Sequence, residues 1–162
     1  RIAEDAGYDF AFLRGVITVN DEQFERVTQK VVDAAGGSLD GVRVGALGLT
    51  FKAGTDDLRE SPAVAIIERL VGRGAVVSAY DPAVRGDGHG LVNGVAVADD
   101  PYAACDGAAV IVVLTEWDEF KWLDLDKLAD VVERRNVVDG RNILDRGALL
   151  RRGFSYSGIG RR

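Results

Sequence analysis

The stretch AAVIVVLT, residues 108–115, is an apolar run of strand length that is rich in β-branched residues. Such a run is typical of a strand that is buried on both faces of a parallel sheet. The stretch VRVGALGL, residues 42–49, has the same character. Two strands of this kind need helices on both sides to cover them, so together they predict an α/β fold.

Predicted strands and helices alternate around these two runs. The further strands are expected at 75–81, 94–98, 136–139 and 154–160, and the helices at 61–74, 100–105, 124–134 and 144–151. Within the first of these helices, Ser61 is the expected N-cap and Pro62 the first helical residue. The alternation predicts a doubly wound, mainly parallel Rossmann-like sheet with the strand order 3-2-1-4-5-6.

A long helix is predicted before the sheet, over residues 9–35, because apolar residues recur there at helical intervals. Its apolar face is about 40 Å long at a rise of about 1.5 Å per residue, which is more than one small sheet covers. Packing on its own domain is one alternative. We expect instead a partner subunit against this helix, and therefore a homodimer.

The composition argues against several classes of function. A net charge of −6 without a basic stripe does not suit nucleic acid, whose phosphates are held by clustered cations. The single cysteine, Cys105, excludes an internal disulfide framework and CxxC metal sites. No apolar run approaches the roughly 20 residues that span a bilayer, and no signal-peptide pattern is present. We expect a soluble, cytoplasmic protein without nucleic-acid, membrane or metal partners.

Three charged loops are predicted to meet at one edge of the sheet. They follow the first, fourth and fifth strands and read TFKAGTDDLRE (50–60), TEWDEFKW (115–122) and DGRN (139–142). Ligands of doubly wound sheets bind beyond the carboxyl ends of the strands, where the winding reverses. The first loop has about eleven residues where two to six are usual, which favours a functional role. The carboxyl edge is therefore the predicted site.

The same edge lacks the pattern of a self-sufficient dinucleotide site. Gly45 and Gly48 do not have the GxGxxG spacing that brings a backbone close to a pyrophosphate. Asp81, at the end of the second strand, resembles a ribose-binding acid, but an ordinary boundary between strand and turn is the favoured interpretation.

Four other side chains have simple structural explanations. Trp117 and Phe120 either cover the sheet edge or line the nucleotide site, and the sequence favours neither alternative. His89 lies among glycines in the loop 82–93 and is expected to be exposed to solvent. Cys105 precedes the fourth strand, at the opposite end of the sheet, and is expected to be a buried structural thiol.

Five motifs occur in the order GLTFKAGTDDLRESP, AYDP, TEWDEF, DGRNIL and GFSYSGIGR. In this order they resemble the carboxyl-terminal part of the UDP-glucose/GDP-mannose dehydrogenase family, from about residue 12 to the end of the sequence. GDP-mannose and UDP-N-acetylmannosamine dehydrogenases share the first motif, whereas TEWDEF favours the UDP-glucose 6-dehydrogenases. A stand-alone, non-catalytic nucleotide-binding module is the alternative from another class.

The resemblance implies that residues 1–37 are the end of a central dimerisation helix region and that residues 38–162 are the UDP-binding domain. It further implies a role in oxidising UDP-glucose to UDP-glucuronate with two NAD reduced, in polysaccharide biosynthesis. The family's NAD-binding domain and its GxCxxKD cysteine motif have no counterpart in this sequence. The sequence therefore looks like a fragment that is inactive alone.

The resemblance also implies binding residues. Phe51, Lys52 and Arg141 correspond to positions that face the nucleotide-sugar, and Arg59 to a position that reaches the NAD held by the other domain. No catalytic or metal-binding residue is implied. The neighbouring carboxylates are expected to orient and neutralise these cations: Asp56, Asp57 and Glu60.

Overall fold

The computed structural model describes residues 11–84 and 94–160, with side chains from residue 19 onward. The expectation for His89 falls outside these residues. Within them, no helix is both long enough and apolar enough to cross a membrane.

Six parallel strands form one sheet in the order β3-β2-β1-β4-β5-β6, which confirms the predicted winding. The central strands are apolar on both faces, so each side of the sheet needs a cover of helices. The strands are β1 Arg43–Leu47, β2 Val76–Tyr80, β3 Ala96–Val97, β4 Val110–Val113, β5 Asn136–Asp139 and β6 Ser155–Gly158.

The helices are α1 Ala11–Ala35, α2 Pro62–Gly72, α3 Pro101–Ala104, α4 Asp118–Lys121, α5 Leu125–Val131 and α6 Arg146–Arg151. Ser61 caps α2 as predicted, because its side chain accepts a hydrogen bond from the Ala63 amide. The single turn α4 was not predicted and lies inside the charged loop after β4. Its N-cap position holds Trp117, which makes no side-chain cap bond, so the usual sequence signal for a helix start is missing.

The core has two layers, one on each face of the sheet. On one face α1 and α2 cover the sheet, and Ile67 and Leu70 of α2 are fully buried there. On the other face Phe120, Leu128 and Leu149 are fully buried beside β1, β4 and β5. Each such side chain contributes about 1.5–3 kcal/mol of burial free energy.

The carboxyl-terminal half of α1 belongs to the first of these layers. Val27, Val31 and Ala35 are buried in its core, and Arg69 of α2 holds Asp21 of α1 at 3.0 Å. The domain thus covers more of this helix than the sequence analysis allowed. Among the apolar α1 residues whose side chains are described, Val19 is the exposed one, at 54%. The homodimer stays a prediction.

Candidate functional site

The strands end in register at the carboxyl edge of the sheet. Leu47 pairs with both Tyr80 and Val113, and Val113 pairs with Asp139. The loops that follow β1, β4 and β5 therefore leave the sheet at one level. Direct contacts join them: Thr115 Oγ1 donates to the Thr50 carbonyl at 2.9 Å, and Gly140 N donates to the Val113 carbonyl at 3.0 Å. The predicted convergence of the three charged loops is confirmed.

The glycines near the end of β1 allow close packing. Gly48 has φ +101°, and a Cβ built there lies 2.5 Å from the Thr115 backbone nitrogen. A Cβ on Gly45 lies 3.0 Å from Cys105 Sγ. Gly48, the first residue after β1, thus faces protein atoms where a dinucleotide turn needs open space for a pyrophosphate, and Gly45 lies inside the strand. The turn after β1 does not fit a dinucleotide, in agreement with the sequence analysis.

Asp81 is fully buried and turned into the protein. Its Oδ2 accepts hydrogen bonds from Leu49 N at 2.8 Å, Thr50 N at 3.0 Å and Thr50 Oγ1 at 2.9 Å. Trp117 Nε1 also donates to Oδ2 at 3.0 Å, and Ala83 N donates to Oδ1 at 2.9 Å. Each carboxylate oxygen is occupied by protein donors, so Asp81 does not serve as a ribose-binding acid.

Side chains also donate hydrogen bonds to the carbonyl groups of Leu49 and Thr50. Ser61 Oγ donates to the Leu49 carbonyl at 2.7 Å, and Thr115 donates to the Thr50 carbonyl. Thr50, Ser61, Asp81 and Thr115 are all buried, and we call these four residues the Asp81 cluster. The cluster fixes the base of the long loop.

The tip of the loop follows directly after this fixed base. The Phe51 side chain is 49% exposed, and Lys52 is exposed as well. Among residues 19–84 and 94–160, whose side chains the structure describes, Lys52 has no hydrogen-bond or ion-pair partner. This exposed lysine is therefore a candidate contact for a ligand.

Arg59 projects from the far side of the same loop, and its side chain is 88% exposed. Its guanidinium holds Asp57 with two hydrogen bonds, at 3.0 and 2.9 Å. The side-chain hydrogen bond from Arg59 lowers the pKa of Asp57 to about 2. Asp57 therefore orients this cation, as expected from the sequence, and Glu60 acts on Arg59 through space. The structure shows no ion pair for Asp56 among the described residues.

Arg141 lies after β5 and reaches back to the loop after β4. Its Nε donates to the Leu114 carbonyl at 2.7 Å and lies 3.3 Å from Glu116 Oε2. The buried Asp139 accepts the backbone N–H of Arg141 at 3.1 Å and so fixes the turn. Glu116 was not singled out in the sequence, because nothing in TEWDEF separates it from its neighbours Asp118 and Glu119.

A cleft of about 210 Å³ opens beside Arg141, between α1, α2 and the strand ends. Its floor and walls are mainly apolar, and Arg141 supplies its cationic side chain. The lining residues are Gln23, Phe24, Val27, Pro62, Ile66, Leu114, Gly140, Arg141 and Ile159.

Asn142 completes the turn after β5 in a left-handed conformation, with φ +55°. Its side chain clamps the end of β6, since Nδ2 donates to the Ile159 carbonyl at 3.0 Å and Oδ1 accepts from Ile159 N at 3.1 Å. Gly158 lies beneath this amide, with no room for a Cβ. The last strand is therefore tied to the Arg141 turn.

Two aromatic residues of the loop after β4, Phe120 and Trp117, support the core. Phe120 is fully buried and packs edge-on against Tyr80, with 6.2 Å between the ring centroids. Trp117 packs against the same core and uses its indole N–H on Asp81. Both side chains therefore cover the sheet edge, which was one of the two alternatives for them.

Cys105 is fully buried before β4, at the amino end of the sheet, as predicted. Burial, with a smaller contribution from Asp100, raises the pKa of its thiol to about 12. A thiol in this state is a poor nucleophile. Among the residues described, no group of three or more His, Cys, Asp or Glu side chains could hold a metal ion.

The doubly wound parallel sheet, with charged loops collected at its carboxyl edge, defines a Rossmann-like α/β domain of the ligand-binding class. The sequence profile of the UDP-glucose/GDP-mannose dehydrogenase family, UDP binding domain, matches residues 45–146, which is more than half of the chain. The chain belongs to this family, and the match confirms the resemblance found in its motifs.

Known proteins that are similar to the chain agree with this family assignment. It is 38% identical over 161 residues to a UDP-glucose 6-dehydrogenase of Rhizobium meliloti (strain 1021), covering 99% of this chain and 37% of the relative. The fold resembles that of a UDP-D-ManNAc dehydrogenase from Pyrococcus horikoshii, with a TM-score of 0.79, 28% identity, and 98% and 36% of the two chains covered. A UDP-glucose dehydrogenase from Pyrobaculum islandicum gives a TM-score of 0.78 at 31% identity, covering 100% and 35%. The chain spans a little over a third of the length of these relatives.

Proposed function

We propose that this chain is the nucleotide-sugar-binding portion of an NAD-dependent UDP-glucose 6-dehydrogenase, which oxidises UDP-glucose to UDP-glucuronate for polysaccharide biosynthesis. The match to the family's UDP binding domain carries the proposal. We assign residues 38–162 to the UDP-binding domain and residues 1–37 to the central helix region. A cytoplasmic location is in keeping with the sequence's single cysteine, which is a buried thiol.

Phe51, Lys52 and Arg141 are the proposed ligand contacts. Lys52 offers an exposed ammonium with no protein partner in the described ranges, which suits the negative charge of a diphosphate. Phe51 offers a half-exposed ring to the apolar parts of the ligand. Arg141 offers a guanidinium whose Nε is already oriented by the Leu114 carbonyl.

Arg59 is the proposed contact to NAD. The turn after β1 does not fit the cofactor, because Gly48 is packed against Thr115. Arg59 is exposed and held in one orientation by Asp57, which suits a cation that contacts a cofactor bound elsewhere. NAD would accept the hydride in the reaction, and this chain would contribute the Arg59 guanidinium to the binding of NAD.

The homodimer is proposed through α1, on the support of the exposed Val19. Removing the helix would also remove Val27, Val31 and Ala35 from the core, so a point substitution is the cleaner test. Val19→Glu should convert a dimer to a monomer in sedimentation analysis while the domain stays folded. An intact chain that stays monomeric at high concentration contradicts the dimer.

A related substrate is the second candidate, because the Pyrococcus horikoshii UDP-D-ManNAc dehydrogenase is as similar in fold as the Pyrobaculum islandicum enzyme. Calorimetric titration with UDP, GDP, UDP-glucose and UDP-N-acetylmannosamine separates the possibilities. The proposal expects UDP and UDP-glucose to bind more tightly than GDP. Preference for GDP, or no binding by any of the four, would refute it.

Turnover is the second test of the proposal. The purified chain, mixed with UDP-glucose and NAD at high protein concentration, should bind the nucleotide-sugar and give no NADH absorbance. Hydride transfer needs a nicotinamide held against the substrate carbon, and the turn after β1 offers no dinucleotide cradle. Turnover that Cys105→Ser abolishes would overturn both the assignment and the structural role given to that thiol.

A further inference from the structure

We infer that Asp81 is a positioning residue for ligand binding, because its buried carboxylate fixes the loop base from which Phe51 and Lys52 project. The nature of the ligand rests on the function proposed above. The positioning itself rests on hydrogen bonds within this chain.

In the described part of the chain, side chains hold all four backbone N–H and carbonyl groups of Leu49 and Thr50 at the base of the loop. Strand pairing of β1 ends at Leu47, so the sheet ladder does not reach Leu49 and Thr50. Asp81 accepts both of their N–H groups, while Ser61 and Thr115 donate to their carbonyls. Three buried side chains from three other parts of the fold thus fix the residues from which the tip projects, and the tip itself is closed by the hydrogen bond from Phe51 N to the Asp57 carbonyl at 2.9 Å.

The carboxylate of Asp81 makes hydrogen bonds that the side-chain amide of an asparagine cannot all reproduce. Its Oδ2 faces four N–H or O–H donors, and its Oδ1 faces the amide of Ala83. An asparagine has one acceptor oxygen, so its NH₂ group must face a donor on one side or the other. In either orientation Asp81→Asn keeps the side-chain volume but replaces the charge-assisted hydrogen bonds to Leu49 and Thr50 with weaker neutral ones, which loosens the loop base.

Trp117 is a spectroscopic probe of the same base. Its indole N–H donates to Asp81 Oδ2 at 3.0 Å and lies 3.3 Å from Thr50 Oγ1. The sequence has two tryptophans, and the other, Trp122, is 84% exposed. In a Trp122→Phe background, fluorescence reports on Trp117 alone.

The test compares Asp81→Asn with the parent chain in that background. We expect UDP affinity to fall about tenfold, Trp117 emission to shift, and the amides of Leu49 and Thr50 to exchange faster. The Val112 amide, in the neighbouring central strand, should keep its exchange rate. Leu149→Ala, in the core of the opposite face, is the control for lost stability and should leave UDP affinity unchanged.

A double-mutant cycle against the paired variant Phe51→Ala and Lys52→Ala separates positioning from a general loss of structure. If Asp81 acts through the tip, Asp81→Asn should weaken UDP binding by less than about twofold once both tip side chains are gone. An equal loss in both backgrounds, or unchanged exchange at Leu49 and Thr50, overturns the inference.

Failure of the proposed function is distinguishable from failure of this inference. If the parent chain does not bind UDP, the function is wrong, and exchange and Trp117 emission alone decide the role of Asp81. Faster exchange confined to Leu49 and Thr50 then supports positioning. Faster exchange throughout the core shows a purely structural residue and refutes it.

Discussion

The two ends of the sheet use polar residues in opposite ways. At the carboxyl edge, buried polar side chains hold a loop that carries the exposed Lys52. At the amino edge the cations lie on the surface and form hydrogen bonds with neighbouring protein groups. Arg152 holds Asp126 through two hydrogen bonds, and Arg135 donates to the Arg152 carbonyl.

The difference shows that a cluster of arginines does not by itself make a site. What distinguishes the carboxyl edge is the buried polar support beneath its loops. Apart from Thr28 in α1, every buried polar side chain in the described part of the chain lies at that edge: Thr50, Ser61, Asp81, Thr115 and Asp139. Buried polar groups need hydrogen-bond partners, so each one restricts the backbone near it to one arrangement.

The largest expected effect concerns the alkylation rate of the buried Cys105 thiol at the amino edge. Burial raises the Cys105 pKa from 9.0 to about 12, which lowers its thiolate fraction about 1000-fold at neutral pH. Alkylation of the native chain by iodoacetamide, followed by mass spectrometry, should therefore be slower than that of a urea-unfolded sample by at least about this factor. Rapid labelling of the folded chain would remove the contrast between the two edges.

The next effect tests the tight packing of the carboxyl edge. Gly48→Ala places a Cβ 2.5 Å from the Thr115 nitrogen at φ +101°, and we expect a loss of about 3 kcal/mol or more in unfolding free energy. Gly36→Ala is the matched control, because it also has a positive φ, +99°, but no atom within 4 Å. It should cost about 1 kcal/mol in urea denaturation. Equal losses would show that packing at Gly48 is not the constraint.

The next prediction concerns the affinity of the carboxyl edge for UDP. Lys52→Ala should weaken UDP binding by about 1.5–3 kcal/mol in calorimetry, since a charge-assisted contact is lost. Arg141→Ala should cost less, because the Arg141 guanidinium also contacts the Leu114 carbonyl and Glu116 and is therefore less free to bind a ligand. If neither substitution changes UDP affinity, the ligand does not bind at this edge.

The smallest effect is expected at the amino edge. Arg152→Ala breaks a surface pair with Asp126, and solvent screens pairs of this exposure so that they add little to stability. The unfolding free energy should change little in urea denaturation, and UDP affinity should not change in calorimetry. A large loss of UDP binding in this variant would move the site to the opposite end of the sheet.

The winding of the sheet could be predicted because its signals are local. Apolar runs, a Ser-Pro helix start and short loops each act over a few residues, and they agree with one another. The pair formed by Asp57 and Arg59 was predictable for the same reason, since the two residues lie close in sequence. The single turn α4 lacks a capping residue and was therefore missed.

Long-range contacts were not predictable from these signals. The motif around Asp81 reads as an ordinary end of a strand, and nothing local shows that Leu49, Thr50 and Trp117 all donate to its carboxylate. The coverage of α1 was underestimated for a similar reason, because its packing depends on where α2 and the sheet lie. The roles of Phe51, Lys52, Arg59 and Arg141 toward ligands remain predictions.

The clamp between Asn142 and the end of β6 has a consequence for how this sequence can evolve. Asn142 holds both polar groups of Ile159, and its amide occupies the space that a Cβ on residue 158 would need. A side chain at Gly158 therefore requires Asn142 to move, and a moved Asn142 leaves Ile159 without its two partners. Among natural variants of this domain, the two positions should change together or remain as they are.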